Sequence, residues 1–338
     1  MKMKNWSKFI AFMLSMIMVF AMAACGTATE NNDIAEVPLD TETPVNIMVL
    51  NGTTGFGMAK LITDAANNST ALNYNFSVET DASNVTAALI NGSVDIAALP
   101  TNAASVVYNK TQGAVQVLAL NTLGVLYLVT DDSVSVNSMD DLRGLTVYAP
   151  AQNPSYILSY LLESNGLTVG EDVVIDNTYA QPADLRTAVA AGEVSVAVLP
   201  EPMLTIAKSS NDKLVTALDL TEEWDKVSEP GSLVQGCVVV RKDFAEAHPN
   251  EISAFLTDYS ASISYLTEEG ADVAGVIEAS GVFAKGAVAA KALPNCNICF
   301  ITGNNMQNVM NHFLEIMYKT QPSSIGGAIP SDDFYYTE

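Results

Sequence analysis

Four short polar segments carry the side chains best suited to gripping a small solute. They are Asn51-Gly52-Thr53-Thr54-Gly55-Phe56, Pro100-Thr101-Asn102, Ala151-Gln152-Asn153-Pro154-Ser155 and Pro200-Glu201-Pro202. Each follows an apolar, strand-like run and precedes a helix-like one. A helix start offers N–H groups without an intrahelical acceptor and a partial positive charge, so it suits an oxyanion. The hydroxyls of Thr53, Thr54, Thr101 and Ser155 and the amides of Asn102, Gln152 and Asn153 add neutral donors. Each hydroxyl can equally cap its own helix, so a site requires that the segments converge. Glu201 is the one charged residue among them, with no Lys or Arg beside it. A dedicated carboxylate site would use an Arg fork. The set therefore favours a neutral ligand, a zwitterion, or one with an amine or protonated nitrogen that Glu201 accepts from. Alternatively Glu201 only complements its helix N-terminus, a contribution of about 0.3–1 kcal/mol. Phe56, Tyr148, Tyr156 and Tyr179 lie in or near these segments and could stack on a flat ring or serve as core or rim.

No catalytic constellation is legible. His248 stands in Ala-His-Pro at a helix start and His312 in the last long helix, and neither has a Ser or Cys nucleophile paired with it by sequence context. There is no Gly-x-x-x-x-Gly-Lys-Ser/Thr loop. Asn51 to Gly57 resembles a dinucleotide fingerprint only loosely. The four cysteines divide by context. Cys237, in Leu-Val-Gln-Gly-Cys-Val-Val-Val, reads as a small buried side chain. Cys296 and Cys299 form Cys-Asn-Ile-Cys, where a zinc site would need two further ligands. Two thiols that stay reduced or pair incidentally fit that segment better than a redox site. No cofactor and no metal is expected.

The elements that must position the four segments repeat. Residues 88–100, Ala-Leu-Ile-Asn-Gly-Ser-Val-Asp-Ile-Ala-Ala-Leu-Pro, align with residues 188–200, Ala-Val-Ala-Ala-Gly-Glu-Val-Ser-Val-Ala-Val-Leu-Pro. The same offset aligns the run from Val45 with the run from Leu145. A pseudo-duplication at this spacing indicates two similar α/β lobes with a cleft between them. Alternating strands and helices from Val45 to about Asn121 form the first lobe, a largely parallel sheet wound with helices. The run 124–130 leads out of it. Ser138 to Gly144 reads as a short capped turn, and strands and helices through about 219 form the second lobe. Residues 233–241 lead back. From Lys242 onward no strand is expected. Helices are predicted over 250–267, 272–279 and 306–318, forming a tail packed on the first lobe. In parallel sheets, ligands bind beyond the carboxyl ends of strands, which is where the four segments fall.

The ends of the chain set the compartment. Lys2, Lys4 and Lys8 precede an apolar run from Phe9 to Ala24, too short for a comfortable membrane span. It ends in Met22-Ala23-Ala24-Cys25-Gly26. Residues 25–43 are polar and acidic and suit a solvated tether. Loss of residues 1–24 would take the formal charge from −23 to −26, because that segment holds three lysines and no acid. Only three arginines occur, Arg143, Arg186 and Arg241, and so acidic a chain lacks the basic footprint of a nucleic-acid binder.

The start of the chain resembles a bacterial lipoprotein signal, with Met22 where Leu is usual. The resemblance implies cleavage before Cys25, acylation of that residue, and anchoring to the extracytoplasmic face of the cell membrane. Together with Asn91 to Pro100, Ala191 to Leu204 and Ser138 to Pro150, it makes the chain similar to the solute-binding subunits of ABC importers. The most similar group binds nitrate, sulfonates, taurine and thiamine-related pyrimidines. That resemblance covers roughly residues 45–270. It implies a type II periplasmic-binding-protein-like fold with two crossing hinge strands, here 124–130 and 233–240. Lobe one would be 44–123 plus 241–338, including C-terminal helices, and lobe two 131–232. The ligand would be a small organic nutrient, either a nitrogen-containing ring or amine or a sulfonate-like anion. Its partners would be an ABC permease and ATPase. Family ligand positions map onto Thr53, Thr54, Thr101, Asn102, Asn121, Gln152, Asn153 and Glu201. A lipoprotein sensing ligand for a receptor kinase, or an enzyme on the same architecture, are the alternatives.

Overall fold

In a computed structural model, residues 39–337 are described. The signal-like run, Cys25 and the tether up to residue 38 lie outside them. Two sheets carry the fold. The first is built from β1 (Val45–Leu50), β2 (Tyr74–Glu79), β3 (Ile96–Pro100), β4 (Val115–Thr122), β10 (Gly236–Arg241) and β11 (Ile298–Ile301), in the order β11-β4-β10-β3-β1-β2. The second is built from β5 (Leu126–Thr130), β6 (Thr146–Tyr148), β7 (Val174–Asp176), β8 (Val196–Pro200) and β9 (Val215–Asp219), in the order β7-β6-β8-β5-β9.

In each sheet three neighbouring strands run parallel and meet one antiparallel strand that follows a crossing from the other lobe. Cys237 of β10 lies opposite Leu99 of β3, and Tyr127 of β5 lies opposite Leu199 of β8. The pseudo-repeat is therefore structural. The helices Ala82–Asn91 (α3) and Pro182–Ala191 (α6) both end at a left-handed glycine, Gly92 and Gly192, each with φ of 75°. Each then enters a buried strand of small and β-branched residues. Only glycine takes that conformation without a Cβ penalty.

The remaining helices are α1 (Thr53–Phe56), α2 (Ala59–Ala66), α4 (Thr101–Thr111), α5 (Asn153–Ser164), α7 (Met203–Ser210), α8 (Leu220–Val227), α9 (Lys242–Ala247), α10 (Pro249–Tyr265), α11 (Val273–Ser280), α12 (Gly286–Ala292) and α13 (Gly303–Thr320). Ser138 and Asp141 form a reciprocal capping box around the turn Met139–Leu142.

Three expectations need adjusting. The expected crossing segments, 124–130 and 233–240, hold the crossings in their first residues and then run into β5 and β10, each of which lies wholly in one sheet. The crossings are residues 123–125 and the stretch from α8 to Gln235. Second, β11 is a strand where none was expected, pairing with the outer edge of β4. Third, the tail is shared. Helices α10 and α11 pack on α2 of the first lobe, whereas α13 lies against both β4 and α5. Phe313 of α13 meets Trp224 with ring centroids 6.0 Å apart, and Trp224 meets Tyr160 of α5 at 4.8 Å. One apolar cluster thus runs from Val107 and Val239 under the first sheet, through Met310 and Phe313, to Leu158 and Val198 under the second.

Candidate ligand-binding cleft

The starts of α4 and α5 come from different lobes and touch. Asn153 Nδ2 donates to Asn102 Oδ1 at 2.8 Å. The direction of that bond is fixed by a third partner, because Asn102 Nδ2 donates to the Ser324 carbonyl at 3.3 Å. A carbonyl only accepts, so Asn102 must turn its oxygen to Asn153. This leaves Asn153 Oδ1 as a shielded acceptor with no partner of its own; Ser324 Oγ is likewise unpartnered. Gln152, immediately before α5, is exposed and held at φ 66°. Thr53, at the start of α1, is half-buried. Asn102 and Asn153 thus meet between the lobes, and Thr53 and Gln152 keep part of their surface open.

The other candidates are committed inside the protein. Thr101 is fully buried, and its Oγ1 donates to the Val234 carbonyl at 2.7 Å. It ties α4 to the returning crossing. Asn121 is also buried. Its Nδ2 donates to the Thr54 carbonyl at 3.1 Å and its Oδ1 accepts from Thr122 Oγ1. Thr54 is buried too, and it is the carbonyl rather than the hydroxyl that Asn121 uses. Ser155 Oγ donates to the Pro150 carbonyl at 2.8 Å and accepts from Asn177 Nδ2 at 2.6 Å.

Glu201 is 3% exposed. Its Oε2 accepts from the Thr205 backbone N–H at 3.0 Å, and its Oε1 from Thr205 Oγ1 at 2.9 Å and Asn295 Nδ2 at 3.4 Å. Burial pushes its carboxyl above the ordinary range, against the pull of those bonds. Glu201 therefore serves its own helix and a neighbouring loop, and the amine-acceptor role inferred from its isolation has no open face to act on. Of the aromatic candidates, Phe56 is in the core against Phe283, whereas Tyr148, Tyr156 and Tyr179 are half-buried, with Tyr148 leaning on Tyr179.

No guanidinium enters these loops. Arg143 pairs with Asp172, Arg241 forks onto Asp243, and Arg186 donates to Thr187 on the exposed side of α6. The donors that the four segments carry are neutral. His248 stacks on Phe244, and His312 shares a hydrogen bond with Ser228 Oγ, partners outside the four segments. Cys296 packs in the cluster on one side of the first sheet and Cys299 against the cluster on the other. Both are free thiols, and burial pushes Cys299 up to about 12 and Cys296 further. Among the described residues no group of His, Cys, Asp or Glu could hold a metal, and no helix is long and apolar enough to cross a membrane. Sequence reasoning missed Asn177, Ser324 and Asn295. Nothing local marks them, since each acts through a partner distant in the chain.

A family model for the periplasmic substrate-binding protein of phosphonate ABC transporters matches residues 62–285. No curated protein sequence matches the chain. Among solved structures, an ABC transporter from Parabacteroides distasonis is 24% identical, with a TM-score of 0.73 over 88% of this chain and 100% of that one. The periplasmic aliphatic sulphonate binding protein of Escherichia coli is 13% identical, with a TM-score of 0.70 over 87% and 92%. The alkanesulfonate-binding protein of Xanthomonas axonopodis pv. citri, bound to MOPS, is 13% identical, with a TM-score of 0.63 over 85% and 94%. The likenesses show a common fold, the two-sheet type II arrangement.

Proposed function

The chain belongs to the phosphonate family of periplasmic ABC substrate-binding proteins, and from that premise we propose that it captures a small phosphonate or sulfonate-like anion between its lobes and is held to the membrane through Cys25. Members of the family are transport subunits rather than enzymes, they work outside the cytoplasm, and they hand a small molecule to an ABC permease. The observation that carries the anion reading is the meeting of two helix N-termini from different lobes, α4 and α5, at the Asn153–Asn102 bond. First-turn N–H groups and neutral amides can then surround an oxyanion from both sides without a guanidinium. Closure is a hinge equilibrium that the ligand shifts by preferring the closed form.

The shielded Asn153 Oδ1 narrows the class, because it wants a donor. A sulfonate group has none at neutral pH, whereas a phosphonate monoanion keeps a P–OH; an ammonium elsewhere on the ligand, as in 2-aminoethylphosphonate or taurine, can supply one to either class. Support for the lipid anchor is the run from Phe9 to Ala24 followed by Cys25.

Calorimetric and thermal-shift titration with methylphosphonate, 2-aminoethylphosphonate, MOPS, taurine and thiamine tests the reading. A ligand at 100 times its Kd adds about 2.7 kcal/mol. Over about 300 residues unfolding with ~2.1 cal/mol/K each, that raises Tm by about 4 °C. 2-Aminoethylphosphonate should bind more tightly than taurine, which carries the same ammonium and lacks the P–OH. A shift with thiamine and with no anion refutes it.

A further inference from the structure

Around the first thiol of Cys296-Asn297-Ile298-Cys299, the geometry gives work to two asparagines, Asn295 and Asn297. The first crossing between lobes is three residues, Leu123, Gly124 and Val125, between the end of β4 and the start of β5. Asn297 grips it twice. The Leu123 N–H donates to the Asn297 carbonyl at 3.0 Å, and Asn297 Nδ2 donates to the Gly124 carbonyl at 2.6 Å. Asn297 takes a left-handed conformation, φ 44°, to do so, which Asn tolerates better than most side chains. Two residues earlier, Asn295 reaches into the second lobe. Its carbonyl accepts from Tyr127 Oη of β5 at 2.8 Å, and its Nδ2 donates to Glu201 Oε1 at the head of α7. Asn295 to Asn297 leads directly into β11 of the first sheet.

We propose that Asn295 and Asn297 form a third hinge element, a brace that ties the first lobe's outer strand to the moving crossing and to the second lobe, and so sets how far and how often the lobes open. A rotation about residues 123–125 that separates the lobes must carry this segment along or break the Tyr127 and Glu201 bonds. The brace acts without touching ligand. Apparent affinity for every ligand scales with the fraction of molecules in the binding-competent form, so its loss weakens all ligands by one common factor. One net hydrogen bond corresponds to about fivefold.

The test reads lobe separation directly in the full-length chain without ligand, so its outcome is independent of the anion reading of the cleft. Spin labels on cysteines introduced at the exposed positions Asn91 and Glu171 report the interlobe distance distribution by pulsed electron resonance. Tyr127→Phe removes one bond of the brace, and Asn297→Gly removes the amide while keeping the backbone conformation available. Tyr160→Phe is the control, because that hydroxyl bonds Val227 and both residues lie in the second lobe. Both brace variants should shift population to longer distances by about fivefold, with Tyr160→Phe like the parent. Parent-like distributions for Tyr127→Phe and Asn297→Gly overturn the proposal. So does an equal shift in Tyr160→Phe, which would show that any lost hydroxyl loosens the lobes.

Discussion

Replacing Gly124 by alanine should damage the crossing between the lobes in a calculable way. A Cβ there would stand 2.2 Å from Thr221 Oγ1, 2.8 Å from Leu233 Cδ2 and 3.1 Å from Thr221 Cβ. The first distance is more than 1 Å inside ordinary contact, and the two neighbours come from α8 and from the returning crossing. The chain passes itself here with room for a hydrogen and nothing larger. Overpacking of this kind costs about 1–3 kcal/mol, and the upper half of that range fits so short a contact. The backbone of Gly124 is not in the left-handed region, so alanine also gains about 0.4–1 kcal/mol by restricting the unfolded chain. The net expected loss is about 2 kcal/mol, read from the urea midpoint with the fluorescence of buried Trp224. Thr221 supplies an internal check. Its Oγ1 is buried with no hydrogen-bond partner, so Thr221→Ala alone should be mild. In the Gly124→Ala background it removes the worst contact and should restore about 1 kcal/mol, a coupling that a double-mutant cycle isolates. A Gly124→Ala protein within about 0.5 kcal/mol of the parent, an ordinary surface-substitution effect, or a double variant with no recovery, would refute the tight-crossing argument.

Other expectations are as direct. Asn153→Asp should weaken phosphonate binding well beyond Asn153→Ala, because it places a carboxylate against the anion where the alanine only removes an amide; equal losses by calorimetry would remove Asn153 from the cleft. Glu201 has a folded-state pKa raised by burial, so the folded protein holds the proton more tightly, and stability falls as pH rises from the unfolded value through the folded one. Glu201→Gln should flatten that stretch of the stability–pH curve and leave neutral-pH stability equal or higher; a Gln variant with unchanged pH dependence would contradict the burial argument. Cys237, Cys296 and Cys299, all shifted up by burial, should resist a thiol reagent at neutral pH and react together on unfolding, and fast labelling of any of them in the native protein would show an opening that the packing does not predict.

Much of the architecture was legible because the repeat has a physical cause. A helix closed by Gly92 or Gly192, followed by a strand buried on both faces, needs the same small and β-branched residues each time, so residues 88–100 and 188–200 converge. The strand Ile298–Ile301 was hidden because four residues cannot show a period, and Cys299 within it pairs by spacing with Cys296 as a candidate thiol site. The site was less legible than the fold. Thr101 and Ser155 stand at helix starts as a binding hydroxyl would, yet donate to Val234 and Pro150. Sequence places a hydroxyl at a helix start, but the backbone of a distant segment decides which way it turns. Glu201 shows the same limit. Its isolation from cations pointed to an amine ligand, while tertiary packing had already given its oxygens to Thr205 and Asn295.

The interleaved strand order also dictates an order of assembly. The second sheet draws every strand from residues 126–219, an uninterrupted stretch. The first cannot be finished that way, because β10, which begins at Gly236, lies between β3 and β4. A chain emerging N-terminus first has to hold β3 and β4 apart until more than a hundred further residues have appeared. Pairings across so long a separation form slowly. The second lobe is therefore free to fold first as a unit, and the first closes around the returning strand. A chain cut short before Gly236 would leave β3 and β4 with unpaired facing edges, the feature that makes sheet proteins aggregate.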